Sequence, residues 1–332
     1  MSGAARIAGW REWLEHQQVA LYLAALAGGA LVGWLGPGAV PAALIDPAIA
    51  LMLYATFLQV PMRALWRGWG QGRFLLALGV ANFVLLPLLV WALAQALPAT
   101  HPQAELMRLG LMLVLLAPCI DYVVTFAHLG RADARLLLAA TPLLLIAQML
   151  LLPPYLHLML GEAAARRVQA GPFVQAFVWL IAVPLLLAAL TQAAAARQAW
   201  ARRVSEGMGL LPVPATAGVL FVVVAALLAQ LGPAREAVWR VAPLYLLFAM
   251  LAPLAGWAVA RALRLPAPAG RAVAFSAGTR NALVVLPLAL AVPGGGALLP
   301  AVVLTQTFVE LLAELAYVRV IARWGAKRAA LS

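Results

Sequence analysis

The residues able to do chemistry in this chain sit where chemistry is expensive, inside long apolar runs. The only cysteine, Cys119, follows a proline in Leu116-Ala117-Pro118-Cys119-Ile120-Asp121-Tyr122. A second polar stretch, Ser276-Ala277-Gly278-Thr279-Arg280-Asn281, lies far downstream and is followed by Pro287. Glu310 and Glu314 stand one helical turn apart in a third run. Together these supply a soft sulfur, titratable carboxyls and a fixed cation. A proline inside a helix removes a backbone donor and clashes with the preceding turn, so the helix around Pro118 is expected to break. An ionisable group in hydrocarbon costs about 2.5–3.5 kcal/mol on insertion scales, and such groups face a protein interior or a water-filled cavity. This is chemistry of binding and of moving charge. Bond-making is not indicated: the apolar runs carry no His/Glu zinc pattern, and the chain has no Gly-x-Ser-x-Gly nucleophile turn.

The elements that must position these groups are membrane helices. Hydrophobic residues make up 65% of the 332 and charged residues only 10%, against about a quarter charged in soluble domains. At about 20 apolar residues per span, the chain holds about ten helices joined by short loops. The spans read as Val19–Leu35, Leu44–Trp66, Phe74–Leu97, Leu106–Leu129, Ala134–Leu160, Pro172–Ala195, Gly209–Leu231, Trp239–Leu263, Arg271–Val292 and Leu298–Trp324. The fourth is broken at Pro118 and the ninth at its polar stretch. Gly28, Gly29 and Gly33 in the first span allow close helix approach. Glu12 and Glu15 interrupt the start of the chain, which therefore does not read as a cleavable signal. Ile7, Trp10, Trp13 and Leu14 there suggest a short interfacial helix. A single cysteine excludes an internal disulfide and a multi-cysteine metal site.

Net charge is +12, yet the arginines are confined to short loops, a distribution that lipid headgroups and topology explain better than nucleic acid. With a cytoplasmic N-terminus, seventeen Lys and Arg fall inside and five outside, leaving Arg280 within a span. Both termini are therefore expected in the cytoplasm. Five spans precede the polar segment 161–171 and five follow it. In each half the fourth span is interrupted and its successor is polar. An odd number of spans inverts the second copy, an arrangement that places a binding site where broken helices cross. The expected fold is thus all-α: a polytopic membrane protein of two inverted five-helix repeats. Residues 1–18 form an interfacial segment, 19–160 the first repeat, 161–171 a hinge, 172–324 the second repeat and 325–332 a cytoplasmic tail.

Each polar residue has a plainer reading beside the functional one. Cys119 could be a small buried hydrophobe, and Asp121 and Arg280 a structural pair across the crossing. Asn82, Gln148 and Gln306 read most simply as interhelical hydrogen-bond partners. Glu314 has the alternative of pairing with Arg319 or reaching the interface.

With those residues in view, the chain resembles the bile acid/sodium symporter superfamily and, within it, the arsenite efflux permeases. Ala117-Pro118-Cys119 looks like the permeases' alanine–proline–cysteine, whose cysteine is associated with arsenite transport. Asn82 and Pro87 are similar to an asparagine–aromatic–x–x–x–proline pattern in the third span, and Phe308-Val309-Glu310 to the start of a tenth-span motif. Ser276 to Asn281 lies where the family has a small-polar run ending in asparagine. The departures are equally specific. The permeases' phenylalanine–glutamate pair after that asparagine is replaced by Ala282 and Leu283, and the sodium-coupled carriers' ninth-span glutamate and glutamine by Ser276 and Arg280.

The expectation is a secondary transporter of the inner membrane, not an enzyme, exporting arsenite or antimonite in exchange for protons. Cys119, Pro118, Thr279, Asn281 and Asn82 would bind the solute; Asp121, Arg280 and Glu310 would handle charge. No cofactor or nucleic acid is called for; the partners are a small-molecule or oxyanion substrate, the proton and the bilayer, and a homo-oligomer is compatible with the class. The first rival is an organic-anion carrier using Arg280 to hold a carboxylate. A membrane-embedded enzyme and a passive channel are rivals from other classes.

Overall fold

A proline within a helix strands the carbonyl four residues before it, and side chains that answer such orphaned carbonyls recur through this protein. The computed structural model describes residues 3–59, 71–98, 100–120, 122–165, 175, 178–231 and 234–326. These residues are helical apart from turns and one isolated bridge, with no strand among them. In chain order the helices are α1 (Gly3–Leu35), α2 (Ile45–Gln59), α3 (Gly72–Val80), α4 (Leu86–Gln95), α5 (Ala104–Leu115), α6 (Val123–Leu129) and α7 (Ala134–Ala165). There follow α8 (Val183–Ala195), α9 (Ala199–Met208), α10 (Pro212–Leu231), α11 (Arg235–Ala262), α12 (Ala267–Gly278), α13 (Ala282–Leu290) and α14 (Leu298–Val320).

Among the described residues, 6 helices are long and apolar enough to cross a membrane: His16–Leu35, Ala42–Gln59, Gly72–Gln95, Ala134–Gly161, Arg235–Ala262 and Leu298–Arg323. They coincide with the first, second, third, fifth, eighth and tenth expected spans. The seventh is a bent pair, Ala199–Met208 with Pro212–Leu228, at 53°. Its first limb carries Arg202 and Arg203 and was expected as loop. The sixth is described only in part. The fourth and ninth are divided, α5 from α6 and α12 from α13, so neither passes as one continuous helix. The long α7 loses helical geometry at Gly161, where φ 76 and ψ 173 suit only a residue without a Cβ.

By its contacts the chain forms two units. One comprises Met1–Met62, Arg166–Glu236 and Leu283–Ala301. In it α1 packs along α10, α10 on α2, and α2 on α8. Gly29 and Gly33 make the first contact possible: a Cβ on either would lie 2.6 Å from the Phe221 carbonyl or 2.9 Å from that of Ala225. Gln192 Nε2 donates to the carbonyls of Phe57 and Leu58 at 3.1 and 3.2 Å. Phe57 lies four residues before Pro61, which offers no N–H.

The other unit comprises Arg63–Ala165, Ala237–Ala282 and Val302–Ser332. Here α12 is central, packing against α3, α6 and α7. Gly256 of α11 admits it closely, since a Cβ there would lie 2.6 Å from that of Ala277. Between α3 and α4 the helix widens into a π segment, Ala81–Leu85, just before Pro87. The stranded carbonyl of Phe83 receives the Tyr155 hydroxyl at 2.5 Å. That of Ala249, four residues before Pro253, receives the Tyr317 hydroxyl at 2.5 Å. Removing one hydroxyl leaves an unmet carbonyl at a cost of about 1–3 kcal/mol. Tyr317→Phe and Tyr155→Phe should therefore lower the thermal midpoint in detergent, the former more because Tyr317 is the more buried. An unchanged midpoint in both would show that the proline kinks are relieved by other groups.

Candidate functional site

The second unit brings the two broken stretches together. At the end of α5, Leu116 N–H bonds Met112 O at 3.0 Å and Ala117 N–H bonds Val114 O at 3.3 Å. Pro118 then has no N–H to continue the ladder, and helix resumes only at Val123. At the end of α12, Thr279 turns to extended geometry (φ −106, ψ 131). The two extended pieces meet as an antiparallel bridge between Pro118 and Arg280. Cys119 N–H donates to Thr279 O at 3.1 Å, and Asn281 N–H to Ala117 O at 2.7 Å. The residues expected to bind solute, Pro118, Cys119, Thr279 and Asn281, are thus joined through their backbones.

That bridge diverts donors from the helices it interrupts. In an unbroken helix the Leu115 carbonyl would take the N–H of Cys119, and the Ser276 and Ala277 carbonyls those of Arg280 and Asn281. The Cys119 and Asn281 donors are spent across the bridge, and Arg280 N–H goes to Glu310 Oε2 at 2.6 Å. The Arg280 side chain folds back to meet the carbonyls so released. Nη2 lies 2.6 Å from Ser276 O, 2.7 Å from Ala277 O and 2.8 Å from Asn82 Oδ1. Nη1 donates to Leu115 O at 3.3 Å. The guanidinium also lies over the Phe248 ring, 5.5 Å from its centroid. Arg280 is 0% exposed, and the hydrogen-bond partners of its guanidinium among the described residues are neutral oxygens. Two helix C-termini, each with partial negative charge, face this cation.

Asn82 owes its position to the π segment, which turns its side chain toward α12. Its Nδ2 donates to Leu78 O and to Ser276 Oγ, both at 3.1 Å. It is interhelical, as expected. Gln306 Nε2 donates to Glu310 on its own helix. Gln148 is buried, and neither its side-chain atoms nor Gln306 Oε1 meets the expected interhelical partner among the described residues.

The α14 carboxyls differ in how they are served. Glu310 accepts from the Tyr122 hydroxyl, from the Arg280 backbone and from Gln306. Three donors suit an ionised carboxylate. Glu314 is fully buried and turns inward, away from the Arg319 pairing or interface position considered above. Its Oε1 is bonded to Thr279 Oγ1, which also lies 2.8 Å from Phe275 O, while Oε2 has no partner among the described residues. One hydroxyl proton serves two acceptors there, and a neutral carboxylic acid, bringing its own proton, completes the chain. Asp121 lies outside the described residues. Phe248 and the Tyr122 hydroxyl are the site groups for which the sequence carried no signal, while Ser276 and Glu314 stood out in it as polar residues in apolar runs without being assigned to the site.

A family model described as the Sodium Bile acid symporter family matches residues 46–232, more than half of the chain. The match takes in Asn82 and the Pro118–Cys119 break. No curated protein matches the chain.

Proposed function

The chain belongs to the sodium bile acid symporter family and is an integral membrane transporter; from that premise we propose that it exports arsenite or antimonite in exchange for protons. The observation carrying the reading is the bridged crossing of two broken helices with a thiol in it. Cys119 is 1% exposed, carries no disulfide, and has its backbone pinned by Thr279. A thiol is a soft ligand matched to a soft trivalent centre, and Asn82, Pro118, Thr279 and Asn281 shape its surroundings. Asp121 and Glu314 carry the exchanged protons in this scheme, and Glu310 holds the crossing together. The ten spans, the inverted five-helix repeats and the cytoplasmic termini, read from arginine placement, belong to the same proposal.

The organic-anion reading has one point in its favour, a buried arginine at the crossing. In this structure that guanidinium is occupied by carbonyls, which argues for the first reading.

Uptake of labelled arsenite into everted vesicles is the test. Uptake should depend on the expressed protein, proceed in sodium-free buffer and collapse when an uncoupler dissipates the pH gradient. Sodium-stimulated uptake that persists with the uncoupler would overturn proton exchange. Absence of arsenite uptake alongside uptake of a labelled organic anion would overturn the choice of solute.

A further inference from the structure

The oxygens around Arg280 do not form an arginine-shaped site. Guanidinium recognition ordinarily uses its planar fork, with Nε and an Nη donating in parallel. Here Nε has no hydrogen-bond partner among the described residues, and the Nη1 contact is long, at 3.3 Å. The close contacts converge on one atom. Nη2 carries two protons yet faces three oxygens at 2.6–2.8 Å. Oxygens that outnumber protons around one centre describe the coordination of a point charge. Three of the four oxygens around the guanidinium are main-chain carbonyls freed at the ends of α5 and α12. Unwound carbonyls and half-helix C-termini are the groups from which transporters build cation sites.

We propose that the cradle of Ser276 O, Ala277 O, Leu115 O and Asn82 Oδ1 is a monovalent-cation site, and that Arg280 fills it with a tethered cation of its own. The chain thereby carries permanently what a freely exchanging ion would otherwise supply at the crossing. The Arg280 charge neutralises two converging helix ends, fixes Asn82 and lets the bridge form without any ion from solution. An ion that cannot leave cannot be transported, so no sodium gradient is coupled through this position. The proposal rests on the transporter reading only for that last consequence and is independent of which solute is carried.

The test uses the full chain purified in detergent, with thermal unfolding followed in choline, sodium, potassium and methylguanidinium chlorides. The unsubstituted protein should unfold at the same midpoint in sodium as in choline. Arg280→Ala, which empties the cradle and leaves its backbone oxygens in place, should unfold earlier in choline. It should recover by at least ~3 °C, saturably, as sodium or methylguanidinium rises to ~100 mM. Adding Asn82→Ala to that variant should abolish the recovery. If Arg280→Ala extracts unfolded in choline, extraction in sodium or methylguanidinium should return folded, monodisperse protein. The proposal is overturned if no cation restores the alanine variant by either measure, which would leave Arg280 as a helix cap and nothing more. It is also overturned if sodium saturably stabilises the unsubstituted protein, or if recovery survives loss of the Asn82 oxygen. No solute or vesicle enters this assay, so its failure leaves the transport reading standing, and a failed arsenite assay leaves the cradle untouched.

Discussion

Glu310→Leu should unfold the protein in detergent under conditions where the unsubstituted chain is stable. The carboxylate is where the crossing is tied: it takes the hydroxyl of Tyr122, the backbone N–H of Arg280 and the amide of Gln306. Leucine fills a similar volume but strands all three donors, and each buried unmet group costs about 1–3 kcal/mol. Those losses together are a large part of a marginal stability of about 5–15 kcal/mol. Glu310→Gln should be far milder. Its oxygen can still accept from Arg280 and Gln306, and its amide can donate to the Tyr122 oxygen. Size-exclusion profiles and thermal midpoints of the two variants provide the measurement. Equal losses for glutamine and leucine would show that charge, and not acceptor count, is what Glu310 supplies. Near-native behaviour of the leucine variant would show that the crossing does not depend on it.

Cys119→Ser should separate function from folding. The bond that pins this residue runs from its backbone N–H to Thr279 O at 3.1 Å, and serine keeps it. The side chain shrinks only slightly, and burying a hydroxyl there costs about 1–3 kcal/mol. Expression and extraction should therefore match those of the unsubstituted protein. Arsenite uptake should fall at least ~10-fold, because an oxygen is a poor substitute for sulfur towards a soft centre. In a host stripped of its own efflux systems, arsenite tolerance should fall with it. Full tolerance in a well-expressed serine variant would reduce the thiol to packing and remove the main support for arsenite as the solute.

Much of this architecture could be read from local rules because its causes are local. Apolar runs of span length, the break after Pro118 and the change at Gly161 each follow from residues within a turn of the event. The close approach at Gly29 and Gly33 was legible for the same reason: a missing Cβ announces itself wherever the partner lies. Cys119, Arg280 and Glu310 could be singled out because polar groups in hydrocarbon are costly and so must be accommodated.

What accommodates them was not legible, because backbone carbonyls carry no residue identity. The groups around Arg280 are mostly main-chain oxygens, released only when the Pro118 and Arg280 stretches pair and divert each other's N–H donors. Nothing at Leu115 or Ala277 marks it in advance as a ligand of a cation. The tyrosines are similar: Tyr155 answers the carbonyl stranded by Pro87, and Tyr317 the one stranded by Pro253. Each pair is more than sixty residues apart, and the chain between them sets no register. By itself the sequence determined where helices break and which side chains cannot be left in lipid, since desolvation acts on each residue alone. Tertiary structure decided which orphaned carbonyl meets which donor, since a hydrogen bond needs two groups at one place and only the packed fold brings them there.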